Sequence, residues 1–549
     1  MKIALSQQNY ILGDFQYNVR KIKQDIDKAI KDQAELIVFS ELCMTGYPPT
    51  DFFYFEEYYI QIENNLEELK GLSHQIGIIL GAPRKNPNHL GKDYFNSAYF
   101  LHQGEIKQIV DKTLLPTYDI FDEYRYFEPN KVFKCIEFKG KKIALTICED
   151  IWDINANSVD EINWQALYQT TPMEQMESQK PDLMINISAS PFSYSHSEER
   201  KKVVIANCKK YHIPMIYVSA VGGQTELVFD GGSMLCNSNG DIVYELKYFE
   251  EDYAVIDPCD NTQAIKVQDY TEKVERKYLA IVLGIRDYFS KLGFKKAVLG
   301  LSGGVDSALT LALAAEAIGA ENVLSILMPS PYSTDHSIND AIQICKNLGS
   351  PYEIIPIKEN FEQIKSSLNP VFKDKTEDLT EENIQARIRG ILLMAVSNKL
   401  GPVLLNTSNK SEVAVGYGTL YGDMCGGLAV LGDVYKTEVY ELCTFINRNS
   451  EIIPQNTISK PPSAELRPGQ KDQDSLPEYD ILDAILYQYI NKQQGVNQIV
   501  AMGYDRALTE RIFKMVNRNE FKRYQTPPII RVSSKAFGFG RRIPIVAKY

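Results

Sequence analysis

The chain has 549 residues, 44% of them hydrophobic and 24% charged, too long for one core and therefore expected to divide into two or three domains. Its formal net charge of −12 argues against nucleic acid as a partner, because such binding rests on phosphate neutralisation by Lys and Arg. No apolar run approaches the roughly 18 residues that span a bilayer, and the opening MKIALSQQNYILGD turns polar too soon for a secretory segment, so a cytoplasmic protein with no membrane partner is expected.

Residues 1 to about 260 alternate short apolar strands with helical stretches: KIALSQQ, a helix near 17–33, ELIVFSE, a helix near 56–75, and GIILGAP. The series continues through SAYFLHQGE, KIALTICED, DLMINISAS, PMIYVSAVG and SMLCNSNGDIVYE to YAVID. Strands of this kind, some separated by helices and some joined as hairpins, predict a layered α/β sandwich. The nine cysteines are irregularly spread, mostly in apolar runs, and form no C-x-x-C pair, which points to free core thiols rather than a disulfide framework or a zinc site. The polar segment from about 153 to 180 reads as a surface insertion.

Three strand ends in this half carry chemistry. Glu41 follows LIVFS, Lys112 stands in VDKTLLP, and Cys148 follows KIALTI, each where loops present functional groups. In the settings FSEL, TGYP, DKTLLP and ICEDIW, this set resembles the Glu-Lys-Cys triad of the nitrilase superfamily, and the match implies an α-β-β-α sandwich over residues 1–260. It implies that Glu41 is the general base, that Lys112 supports the oxyanion, and that both favour a Cys148 thiolate attacking a primary amide. It also implies a supporting carboxylate at Glu123 and substrate contacts at Tyr118 and Ser190. One position departs from the pattern of the glutaminase domains: INISASPFSYSHSEER puts His196 where they carry a lysine, leaving open whether His196 binds glutamine or is a loop residue.

A polar linker is expected near 258–270, followed by a helix from about Val274 to Leu292. The stretch AVLGLSGGVDSA then runs an apolar strand into a Ser-Gly-Gly loop and a helix from Asp306 to Ile318, an anion-holding arrangement. Gly300, Leu301, Ser302, Gly303, Gly304, Val305, Asp306 and Ser307 are its members. The lysine of a G-x-x-x-x-G-K-[ST] cradle is absent, and Asp306 is placed to hold Mg²⁺. The loop resembles that of the N-type ATP pyrophosphatases, which adenylate a carbonyl oxygen and release pyrophosphate.

Next come ENVLSILMPS, a helix near 335–348, YEIIPI, a polar stretch, a helix from Glu381 to Leu400, and PVLLNTSN. This repetition predicts a doubly wound parallel sheet over 271–549 with ligands at the C-terminal strand ends. Arg387, Arg389, Lys410 and Asp423 cluster at those ends. From Lys522 to Tyr549 there are seven basic residues and no acidic one, read as a partner for phosphorylated small molecules.

The segments NTSNKSE, GYGTLYGDMCGG, KPPSAELRPGQKDQDSLPEYDILD and TPPIIRVSSKAFGFGRR are similar to those of glutamine-dependent NAD⁺ synthetases. That resemblance, which covers nearly all of the chain, implies a ligase using L-glutamine, ATP and deamido-NAD⁺, with ammonia from the first half consumed in the second. It implies ATP contacts from Thr407, Lys436 and Ser463, deamido-NAD⁺ contacts from Asn383, Glu412 and Lys522, Mg²⁺ on Asp306 and Glu412, and a homo-oligomer. The rival readings are another carboxylate substrate for the second half and a non-catalytic scaffold for the first.

Overall fold

A computed structural model describes residues 1–88, 90–154, 168–260, 266–267, 272–373 and 375–548. The chain forms two compact units, one of Met1–Gln224 and Val228–Thr271, the other of Thr225–Leu227 and Glu272–Tyr549. Most of the expected linker lies outside the described residues. None of the described helices is long and apolar enough to cross a membrane.

The first unit holds β1 (Ile3–Gln7), β2 (Leu36–Val38), β3 (Gly77–Lys85), β4 (Tyr94–His102), β5 (Glu105–Asp111), β6 (Ile136–Phe138) and β7 (Lys141–Ile147). After them come β8 (Leu183–Ser188), β9 (Met215–Ser219), β10 (Val221–Gln224), β11 (Leu227–Asp230), β12 (Met234–Cys236), β13 (Ile242–Glu245) and β14 (Asp252–Ile256). Two six-stranded sheets result, ordered β14-β1-β2-β3-β4-β5 and β13-β12-β9-β8-β7-β6. β1, β2 and β3 pair in parallel, as do β7, β8 and β9.

Alternation along the strands decides which way each residue faces. Ile143, Leu145 and Ile147 of β7 pack with Ile3, Leu5, Val38 and Ile79 of the other sheet. Ala144, between them, joins Val203, Val204 and Cys208 of the helix His196–Tyr211 on the outer face. Both faces are thus covered, which is why KIALTI reads as a continuous apolar run. The helix Phe15–Lys31 starts at Asp14, whose side chain accepts the Tyr17 amide, and buries Phe15, Val19, Ile22 and Ile26 at helical spacing.

The second unit contains β15 (Ala297–Gly300), β16 (Val323–Leu327), β17 (Tyr352–Ile354), β18 (Val403–Asn406) and β19 (Leu428–Ala429). They form one parallel sheet ordered β17-β16-β15-β18-β19. The order reverses at β15 and β18, and the crevice beyond their C-terminal ends is where such a sheet receives ligands.

Two expectations need correction. The polar stretch before residue 381 contains a helix, Lys358–Phe372, whose one buried residue is Phe361 and which carries Pro370 inside its end; so thin an apolar stripe gives no clear period. The segment read as a surface insertion lies outside the described residues at 155–167. Beyond them it forms the helix Pro172–Glu177, whose Met173 and Met176 join the core.

Candidate active sites

The first site gathers at the C-terminal ends of β2, β5 and β7. Glu41 lies in the turn after β2, and that turn crosses β3 so closely that a Cβ at Gly81 would stand 2.3 Å from the Leu42 nitrogen. Only glycine allows the approach. Lys112 follows β5, and its Nζ lies 2.8 Å from Glu41 Oε1 and 2.8 Å from Glu123 Oε1, with all three side chains buried. Asn96 Nδ2 donates to Glu41 Oε1 at 2.7 Å, the Ala189 amide to Glu41 Oε2 at 2.8 Å, and Tyr47 OH to Glu123 Oε1 at 2.8 Å.

Cys148 leaves β7 with φ +47°, a left-handed conformation that costs a non-glycine residue on the order of 1–2 kcal/mol. Asn186 Nδ2 holds its carbonyl at 3.3 Å. Asp150, two residues on, accepts the amides of Thr113, Leu114 and Ile147, tying the lysine loop to the nucleophile turn. Neither Asp150 nor Asn96 is marked by any spacing in the sequence.

Opposing influences act on the Cys148 sulfur. Burial pushes the Cys148 thiol well above its ordinary range, Glu41 adds to this, and Lys112 opposes it. Burial works against the Lys112 charge, but Glu123 and Glu41 outweigh it and hold the ammonium firmly. Burial lifts Glu123 to about 7 against the pull of Lys112. Burial and the Glu41 charge thus favour the thiol form of Cys148, while Lys112, which also serves two carboxylates, favours the thiolate.

Around this cluster, Tyr118 OH donates to Glu149 at 2.9 Å, as does Tyr168 OH. Ser190 Oγ and His196 Nε2 lie 2.9 Å apart. The His196 ring stacks on Trp152 with centroids 5.0 Å apart and planes 3° from parallel.

The second site is a cavity of about 550 Å³ in the second unit. Gly300, Leu301, Ser302, Gly304, Val305, Asp306, Ser307, Asn383, Thr407, Glu412, Lys436, Ser463 and Lys522 all line it. Gly303 is the exception: at φ +81° its missing Cβ would meet the Ser337 carbonyl at 2.1 Å. Its role is to let the loop pass the helix Asp335–Leu348, not to face the cavity. Ser302 Oγ and Ser307 Oγ are 3.2 Å apart, and the helix Val305–Ile318 begins beside them.

Asp306 receives Lys436 Nζ on one oxygen and Asn409 Nδ2 on the other. Lys436 also reaches Glu412 Oε1 at 3.3 Å. Burial raises Glu412 to about 8, with Lys436 opposing and Asp306 adding. The basic terminal run does not act as a unit. Lys522 lines the cavity and donates to the Gly416 and Gly418 carbonyls, whereas Arg523 is spent on the Ala414 carbonyl and Glu520. Lys410 is likewise structural, buried on Asp433 and Ser533.

Residues 2–158 match the carbon-nitrogen hydrolase family model, and 277–526 the NAD synthase model. The chain is 44% identical to the glutamine-dependent NAD(+) synthetase of Synechocystis sp., over 100% of this chain and 99% of that protein. It is 38% identical to the enzyme of that name from Thermotoga maritima, over 100% and 99%. Among solved structures it resembles the glutamine-dependent NAD+ synthetase of Acinetobacter baumannii in complex with ADP, with a TM-score of 0.78 and 36% identity over 99% of this chain and 98% of that one.

Proposed function

The chain belongs to the glutamine-dependent NAD(+) synthetase family, and from that premise we propose how its residues divide the work. As a member it makes NAD⁺ from deamido-NAD⁺, ATP and L-glutamine, releasing AMP, pyrophosphate and glutamate. The observation that carries the division of labour is the buried Glu41, Lys112 and Glu123 cluster beside Cys148 in the first unit.

In the proposed hydrolysis, Cys148 Sγ attacks the glutamine side-chain amide as its proton passes to Glu41. The carbonyl pair becomes an oxyanion, which Lys112 stabilises. Glu41 returns the proton to the nitrogen, the C–N bond breaks, and ammonia leaves a thioester on Cys148. Glu41 then takes a proton from water as the water oxygen attacks the thioester, and returns that proton to the sulfur as the C–S bond breaks, releasing glutamate and restoring the thiol. Transfer of the proton during attack, rather than beforehand, is what a thiol raised by burial requires. Ser190 and His196 are proposed to meet the glutamine α-carboxylate, and Tyr118 to border the same substrate.

In the second unit, Ser302, Ser307 and the amides opening the helix Val305–Ile318 are proposed to clasp the ATP phosphates, with Thr407 and Ser463 on the nucleotide. Lys436 is proposed to neutralise charge on the departing pyrophosphate. Asn383, Glu412 and Lys522 would line deamido-NAD⁺. Mg²⁺ fits this site: Asp306 and Glu412 converge on one ammonium, and burial makes the Glu412 charge costly beside Asp306 until a cation shares it. Bound there, Mg²⁺ would screen the triphosphate, with two carboxylates and phosphate oxygens as the usual complement. The expected homo-oligomeric, cytoplasmic state is open to sedimentation and cell fractionation.

Cys148→Ala tests the division. Glutamine should fail as nitrogen donor while high ammonium supports NAD⁺ formation near the wild-type rate. Glutamine-dependent synthesis by the folded variant would overturn the assignment.

A further inference from the structure

We infer that Asn186 decides which face of its sheet receives the Cys148 side chain, and so acts as a positioning residue for amide hydrolysis. This rests on the glutaminase reading above. Alternation along β7 places Ile143, Leu145 and Ile147 between the two sheets and Ala144 on the outer face. Continued by one residue, it would send Cys148 outward with Ala144. Cys148 instead packs with Ile143, Leu145 and Ile147, because its φ of +47° breaks the period at the strand end. The nucleophile thereby faces the sheet whose strands β2 and β5 lead to Glu41 and Lys112.

A left-handed residue that is not glycine persists only where its surroundings hold it. Asn186 stands opposite Thr146 in the β7–β8 pairing. It lies on the outer face, since Ile185 and Ile187 on either side of it turn inward and Met184 turns outward. From there Nδ2 donates to the Cys148 carbonyl at 3.3 Å and to Thr146 Oγ1 at 3.0 Å, while Oδ1 accepts Ser188 Oγ at 2.7 Å. The Thr146 hydroxyl gives its own hydrogen to the Ile185 carbonyl, so both neighbours on the Cys148 side are acceptors and only the NH₂ end of the amide serves them. A Cys148 carbonyl held toward the outer face leaves the side chain of the same residue to the inner one. Thr146, Asn186 and Ser188 are all buried, where a carbonyl that loses its donor is costly.

The test uses the full-length enzyme and two readouts: kcat and KM for L-glutamine hydrolysis, and the rate at which iodoacetamide alkylates Cys148, followed by peptide mass spectrometry. Asn186→Leu keeps the volume and removes the donor. It should lower kcat and the alkylation rate by at least about thirtyfold, the scale of a displaced reacting group, while the KM for glutamine and ammonium-supported NAD⁺ synthesis stay within about threefold of wild type. Ammonium-supported synthesis retained together with alkylation at or above the wild-type rate would overturn the inference, as would a raised KM at unchanged kcat. Should Asn186→Leu lose synthesis with both nitrogen sources equally, Ser188→Ala decides. It frees the Oδ1 end of the amide and leaves the strand pairing in place, so alkylation should slow by about threefold, and an unchanged rate would overturn the inference. Cys148→Ala that still hydrolyses glutamine would instead remove the glutaminase reading, and this assignment with it.

Discussion

The Asp150 carboxylate receives the Leu114 amide at 2.8 Å, and through this contact the loop carrying Lys112 is fixed to the turn carrying Cys148. The Thr113 amide shares that oxygen at 2.9 Å, and the Ile147 amide takes the other at 3.0 Å. Asn at 150 has one carbonyl oxygen and must turn its NH₂ toward one of these donors. Asp150→Asn should therefore lower glutamine-supported synthesis by about ten- to a hundredfold, the cost of a misplaced group, and destabilise the first unit by about 1–3 kcal/mol. Steady-state rates with glutamine and with ammonium decide it, since equal loss with both donors would mean a general folding defect.

Asp306→Asn should nearly abolish synthesis with either nitrogen source and leave glutamine hydrolysis, measured alone, in place. The carboxylate is held between Lys436 and Asn409 in the cavity, and an amide is a poor ligand for a hard cation. Normal ammonium-supported turnover would rule out the role given to Asp306.

If His196 meets the glutamine α-carboxylate, His196→Ala should raise the KM for glutamine and His196→Lys should work at least as well as wild type. The ring is already oriented by Trp152 and Ser190, so its loss removes a placed donor. A bystander would leave KM unchanged in both variants.

A pH experiment probes the frame behind Lys436. Asp483 is buried, accepts Ser411 Oγ and the Thr437 amide, and is pushed by burial to about 6. A carboxyl raised in the folded state binds more protons there than in the unfolded chain, so its contribution to stability is full below about 3.9 and is lost as pH rises through about 6. The difference in unfolding free energy between wild type and Asp483→Asn should therefore shrink between pH 4.5 and 7, by about 2 kcal/mol. Thermal melts across that range check it, and a constant difference would contradict the assigned shift.

What the sequence by itself determined was local. Periodicity and apolar runs located the strands that end at Cys148 and Gly300, because a strand buried on both faces has to be apolar throughout. Glycines, serines and an aspartate between strand and helix marked the phosphate loop, because an anion at a helix N-terminus demands small residues and free amides. Glu41, Lys112 and Cys148 could be named from their settings, but not their distances. The tertiary structure alone decided how charge is shared: that Lys112 serves two carboxylates at once, and that Lys436 bridges Asp306 and Glu412. It also decided that Gly303 faces Ser337 and that Arg523 turns inward. Ionisation depends on burial and on neighbours many residues distant in sequence, and neither quantity exists until the strands have paired.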